Sequence, residues 1–126
     1  PLKRWDNGAD VIVAGDAASP SGCGRELVAL AEALAAPVAN TLGARGLVST
    51  RHPLHMGVVG NYSAPPANEI LCGAELVLYV GCDTGDQVTH YWRVPKPGSV
   101  RVVQIDADAL EFHRSYAAEA TVQADP

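Results

Sequence analysis

The chain has 126 residues, 48 % of them apolar and 18 % charged, with a formal charge of −5 at pH 7, which is the size and composition of one folded domain and not of a disordered segment. Basic residues are scattered singly, so no stripe tracks a phosphate backbone and nucleic acid is excluded as a partner; the apolar runs are far too short for a membrane span, and a soluble, cytoplasmic protein is expected. Cys23, Cys72 and Cys82 are odd in number and nowhere spaced C-x-x-C, so neither a disulfide framework nor a zinc site is indicated and buried free thiols are expected.

Pro1 leads into a polar stretch (Lys3, Arg4, Asp6, Asn7), and the sequence closes at Asp125-Pro126 directly after a strand-like segment. The expectation is a single domain, residues 1–126, cut from a longer chain. Strands are predicted at Val11 to Ala14, Pro37 to Ala39, Leu76 to Val80 and Val100 to Ile105, with a weaker one at Ala120 to Val122. Most are continuously apolar, as strands covered on both faces of a parallel sheet are. Leu27, Leu30, Ala31 and Leu34 recur at i, i+3, i+4, i+7 and predict a helix, with Ser19 or Ser21 available as its cap. A second helix is predicted to open at Pro65 or Pro66 and to close at Gly73 in the left-handed position. A short third one follows Asp108, whose carboxylate caps Ala109 to Phe112. The stretch from Gly81 to Gly98 is hardest to read, with a partial helix around Val88 to Trp92.

Alternating strands and helices give a three-layer, doubly wound, Rossmann-like α/β domain with a mainly parallel sheet of five to six strands. Ligands of such sheets bind outside the carboxyl ends of the strands. The loops expected there are Gly15 to Ser21, Thr41 to Gly60, Gly81 to Asp86 and Asp106 to Asp108.

The residues themselves exclude several chemistries. A dehydrogenase fingerprint needs G-x-G-x-x-G at the first strand-to-helix turn; Gly22 and Gly24 come late, and Leu27 stands in the third place. His52 and His55 straddle Pro53, so no regular helix presents them to a metal, and loop histidines bonded to backbone carbonyls are the plainer reading. No G-x-S-x-G occurs and no cysteine has a histidine in suggestive context, so a hydrolase is unsupported. Asp106 and Asp108 end the Val100 to Ile105 strand, where an acid can take a ribose or cap the next helix. Asp83 and Asp86 read as solvated loop residues. Tyr91, Trp92 and Val94 read as core before interface.

The order "VIVAGDAA", "PVANTLGARG", "HPLHMGVVG", "AELVLYVG", "QIDADALEF" and "TVQAD", from Val11 to Asp125, resembles the central domain of thiamin-diphosphate-dependent enzymes of the acetolactate synthase, oxalyl-CoA decarboxylase and benzoylformate decarboxylase group. The resemblance implies the middle one of three α/β domains, with a six-stranded sheet, in a lyase or transferase that cleaves or joins carbon-carbon bonds beside a carbonyl. It implies flanking pyrimidine-binding and diphosphate-binding domains that hold thiamin diphosphate and Mg2+ between subunits of a homodimer or homotetramer. The activating glutamate and the Gly-Asp-Gly…Asn motif belong to those domains and are absent here, so no catalytic residue is assigned and this chain alone is expected to be silent. Some relatives hold FAD or ADP in the middle domain. Carried over position by position, the candidates are Gly15, Thr41, Leu42, Gly43, Met56, Gly57, Val58, Asp106, Ala107 and Asp125, with glycines allowing close backbone approach. Asp16 and Asp83 depart from the pattern, standing where small residues and an arginine are usual in the flavin relatives, and both repel a diphosphate. Other relatives use the same domain only as a structural linker. The alternatives are a free-standing Rossmann-type nucleotide-binding module with a regulatory or redox role, and a purely structural interaction domain.

Overall fold

The computed structural model describes residues 10–63 and 67–126. The polar stretch at Lys3 to Asn7 and the helix start predicted at Pro65 or Pro66 lie outside the described residues. Six strands, β1 (Val11–Ala14), β2 (Val38–Asn40), β3 (His55–Val58), β4 (Leu76–Val80), β5 (Arg101–Asp106) and β6 (Ala120–Gln123), form one sheet in the order β3-β2-β1-β4-β5-β6. Every neighbouring pair is parallel, so the fold is the expected doubly wound α/β domain. The chain starts in the middle, builds outward to β3, then returns past β1 to build the other half. That reversal between β1 and β4 is the switch point at which ligands of such sheets sit.

Side chains of successive strand residues leave on opposite faces, and β1 divides accordingly. Val11 and Val13 join Val77, Tyr79, Val102 and Leu71 on one face. Ile12 and Ala14 join Leu27, Ala31, Val38 and Val80 on the other. Helices cover both faces: α1 (Ala18–Ser21) and α2 (Gly24–Leu34) on the second, α3 (Ala67–Cys72) on the first. Within the predicted stripe of α2, Leu27 and Ala31 are buried, Leu30 is half-buried and Leu34 is exposed.

Several local expectations are corrected. Neither Ser19 nor Ser21 caps α2; both lie in α1, which Gly22 ends in a left-handed conformation, and α2 begins after Cys23 without a side-chain cap. Ala35, not a glycine, takes the left-handed position after α2, and Gly73 does not adopt positive φ after α3. The segment read as a loop from Thr41 to Gly60 contains β3, whose pairing with β2 slips by one residue between Val38 and Ala39. Gly57 sits at that irregularity with φ 103°, where a side chain would be strained. The Ala109–Glu111 segment is one 3-10 turn with Asp108 accepting from Leu110 N at 2.9 Å. In place of a helix at Val88 to Trp92 there is a left-handed turn: His90, Tyr91 and Trp92 have φ 48°, 55° and 59°. It is held by Thr89 Oγ1 accepting from Trp92 N at 2.9 Å, by Trp92 Nε1 donating to Thr84 O at 3.1 Å and by the His90 ring bonded to Asn61. Tyr91 and Trp92 are exposed and only Val94 enters the core. Of the thiols, Cys23 and Cys82 are buried but Cys72 is exposed.

Tyr79 lies at the centre of the first face, stacked on Tyr116 with ring centroids 5.7 Å apart. Tyr116 donates its hydroxyl to Pro95 O at 2.7 Å, whereas the buried Tyr79 hydroxyl makes no hydrogen bond among the described residues. Burial first, and Tyr116 second, push the Tyr79 phenol well above its ordinary range.

Candidate functional site

The carboxyl edge of the sheet is held in register by backbone bonds that continue the ladder past the strand ends. Thr41 N donates to Ala14 O at 2.9 Å, Gly15 N to Val80 O at 2.8 Å and Gly81 N to Ile105 O at 2.8 Å. Gly15 and Gly81 lie against each other at the switch point. A β-carbon on Gly15 would fall on Gly81 O and Cys82 Cα, and one on Gly81, where φ is +60°, would lie 2.6 Å from Ala18 N. Gly15 is thus required by the approach of the β1 and β4 loops, whether or not a ligand is present.

Among the described residues, cavities run along this edge. One, about 510 Å³, is lined by Leu42, Gly57 and Val58 together with Asn40, Arg45 and His55. The next, about 50 Å³, takes Thr41, Leu42 and Gly43 with Asp16, Val59 and Tyr62. The third, about 280 Å³, lies over the switch point and takes Asp16, Gly81, Asp83, Asp106, Asp108 and Glu111. Leu42 is the residue shared by the first and second, and Asp16 by the second and third. The ten candidate residues are therefore dispersed. Met56 is buried in the core beneath β3. Ala107 is exposed and accepts from Gln123 Nε2 at 3.3 Å. Asp125 borders a further cavity with Cys23 and Leu27 of the α2 side and with Val80 and Ile105 at the carboxyl ends of β4 and β5.

Asp106 is 6 % exposed and accepts from Asp108 N at 2.9 Å, so both acids are engaged with backbone at the start of the 3-10 turn. Gln104, buried two residues earlier, donates to Glu111 O at 3.1 Å and accepts from His113 N at 2.9 Å, which fixes the loop that carries Glu111 over the crevice. Asp83 accepts from Gly85 N at 3.0 Å. Asp16 is the residue that sequence reasoning left out of the site; the sequence shows it only as an unusual acid after Gly15. Its carboxylate accepts from the buried Thr41 hydroxyl and fills the space beside Gly43.

The histidines have structural partners, though not the backbone carbonyls expected. His52 Nδ1 accepts from Leu54 N at 3.1 Å, so its Nε2 carries the proton and donates to Glu32 at 3.0 Å. The His55 ring bonds Asn40 Oδ1 at 2.6 Å. Its pKa is lowered by burial and secondarily by neighbouring His52. Among the described residues no group of three His, Cys, Asp or Glu side chains is arranged to hold a metal ion.

Comparison with known proteins places this architecture. The family described as thiamine pyrophosphate enzyme, central domain, matches residues 9–126. The chain belongs to that family. Relatives include a probable acetolactate synthase large subunit of Methanocaldococcus jannaschii, 32 % identical over 115 residues, and one of Methanococcus aeolicus, 30 % identical over 115 residues. A probable 2-ketoarginine decarboxylase of Pseudomonas aeruginosa is 31 % identical over 115 residues. Each alignment covers 91 % of this chain but only 19–20 % of the relative, so this thiamine pyrophosphate enzyme central domain spans about a fifth of the proteins it matches.

The charge of this central domain's crevice is unfavourable to a nucleotide diphosphate. Five carboxylates line the switch-point cavity, of which Glu111 is paired with Arg114 at 3.2 Å, and a wall of that sign repels a diphosphate.

Proposed function

We propose that the chain serves as the central domain of a larger thiamin-diphosphate-dependent 2-oxo acid decarboxylase or carboligase, with a structural role of its own. In this reading the cofactor and its Mg2+ are held by flanking pyrimidine-binding and diphosphate-binding domains, in a cytoplasmic homodimer or homotetramer. The family match over residues 9–126 supports it, since the match is to a central domain and the relatives are five-fold longer. The named activities of those relatives, acetolactate synthesis and 2-ketoarginine decarboxylation, share cleavage or formation of a bond next to a carbonyl, which is the chemistry that a thiazolium cofactor supplies.

The observation that carries the structural role is the acidic, divided carboxyl edge. Gly15, Thr41, Leu42, Gly43, Met56, Gly57, Val58, Asp106, Ala107 and Asp125 would have to line one groove to hold FAD or ADP, and in this chain they border separate cavities or none. The same geometry disfavours a free-standing nucleotide-binding module. The test is turnover by the natural full-length protein of a panel of 2-oxo acids, pyruvate and 2-ketoarginine among them, with and without thiamin diphosphate and Mg2+. Cofactor-dependent CO2 release supports the reading; a panel with no cofactor-dependent turnover overturns it.

A further inference from the structure

We propose that Asp16 is a built-in anion that closes the switch point of this domain to nucleotide phosphates. Three independent features converge on its side chain. The first is position: Asp16 directly follows Gly15 at the end of β1, the turn whose backbone comes nearest to a ligand phosphate in doubly wound sheets. The second is its bond: the hydroxyl of Thr41, itself 1 % exposed, is spent on the Asp16 carboxylate, so the one side-chain hydroxyl available at the end of β2 is already satisfied by an internal acceptor. The third is space. Gly43 lacks a side chain on the side that faces Asp16, and all three carboxylate atoms occupy that side.

The consequence is both steric and electrostatic. The carboxylate stands between the small cavity over Thr41 and the larger one over Asp106, and is the residue common to both. An extended ligand would have to displace it to run along the edge, exchanging a made hydrogen bond for a repulsive contact. Asp83, Asp106, Asp108 and Glu111 line the far side; Arg114 pairs with Glu111 at 3.2 Å, and no cationic side chain is paired with Asp16 among the described residues. The glycines of this edge, Gly15 and Gly43, then serve loop approach and the seating of Asp16. This inference concerns the crevice alone and does not depend on the reaction of the parent enzyme, so the turnover assay and the binding assay below fail separately.

The test is equilibrium dialysis of ADP and of FAD against the natural full-length protein, with thiamin diphosphate and Mg2+ in excess to fill diphosphate subsites elsewhere. The wild type is expected to show no saturable binding of either below about 1 mM, and Asp16→Ser/Asp83→Ser is expected to tighten binding by about tenfold or more for each carboxylate removed. Asp16→Asn, which keeps the shape and an acceptor for Thr41, isolates the charge and is expected to gain less than Asp16→Ser; should the double variant fail to fold, Asp16→Ser alone must show the tenfold gain. Micromolar binding of ADP or FAD by the wild type overturns the proposal. So does a folded set of variants that bind no better than the wild type.

Discussion

Replacing Gly15 by alanine asks whether this residue holds the fold together or waits for a ligand. The added β-carbon lands on Gly81 O and Cys82 Cα, with Cys82 Cβ 2.6 Å away. These are backbone atoms and a buried side chain, so no flexible group can swing aside. The loops after β1 and β4 must separate, and the bonds that join them, Gly15 N to Val80 O at 2.8 Å and Ala17 N to Gly81 O at 3.0 Å, stretch with them. Overpacking of this kind costs about 1–3 kcal/mol, and weakening two backbone bonds adds about 1 kcal/mol. A loss of about 3 kcal/mol corresponds to a Tm about 10 °C lower for a domain of this size. Urea and thermal melts of the chain without any ligand measure it. A loss under about 1 kcal/mol would refute the reasoning, because it would mean that the two loops do not touch as described.

Other expectations follow from single contacts. Tyr79→Phe removes a buried hydroxyl that makes no hydrogen bond among the described residues, and is expected to be neutral or to stabilise by about 1 kcal/mol in urea melts; a destabilisation above about 1 kcal/mol would mean that the hydroxyl is partnered, with the Tyr116 hydroxyl as the candidate. Burial raises the Cys82 thiol from 9.0 and the Tyr116 phenol from 10.0, each to about 12, and raises the Tyr79 phenol as well. The unfolded chain therefore releases these protons first as pH rises, and stability present below about pH 9 is lost towards about pH 12, by about 1.4 kcal/mol per pH unit for each group. Cys82→Ala should make that alkaline limb shallower between about pH 9 and 11, and an unchanged slope would contradict the assignment. Asp108→Ala should cost about 1 kcal/mol and speed hydrogen exchange at Leu110 N, since the cap seen at 2.9 Å is lost.

The central strands were legible because β1 and β4 are buried on both faces, and continuous apolar runs such as VIVA and LVLYV follow directly from that burial. Strand β3 was not legible: it is four residues long, lies after Pro53, carries Gly57 at a positive φ, and buries only Met56 fully. Its strand character comes from pairing with β2, a tertiary fact without a periodic trace. The turn at His90 to Trp92 was hidden for a related reason, since aromatic residues avoid positive φ and are held there by Thr84, Thr89 and Asn61 from other positions in the chain. Within the site, the strand-end rule located Thr41, Gly43 and Asp106 at the carboxyl edge. The meaning of Asp16 needed the fold, because Thr41 lies 25 residues away from it.

The most direct test of the account is calorimetric titration of thiamin diphosphate with Mg2+ into two samples, the natural full-length protein and the 126-residue chain. The account predicts saturable binding by the full-length protein and none by the isolated chain. Binding by the isolated chain, or its absence in the full-length protein, would contradict the reading of this domain as the structural centre of a thiamin-diphosphate enzyme.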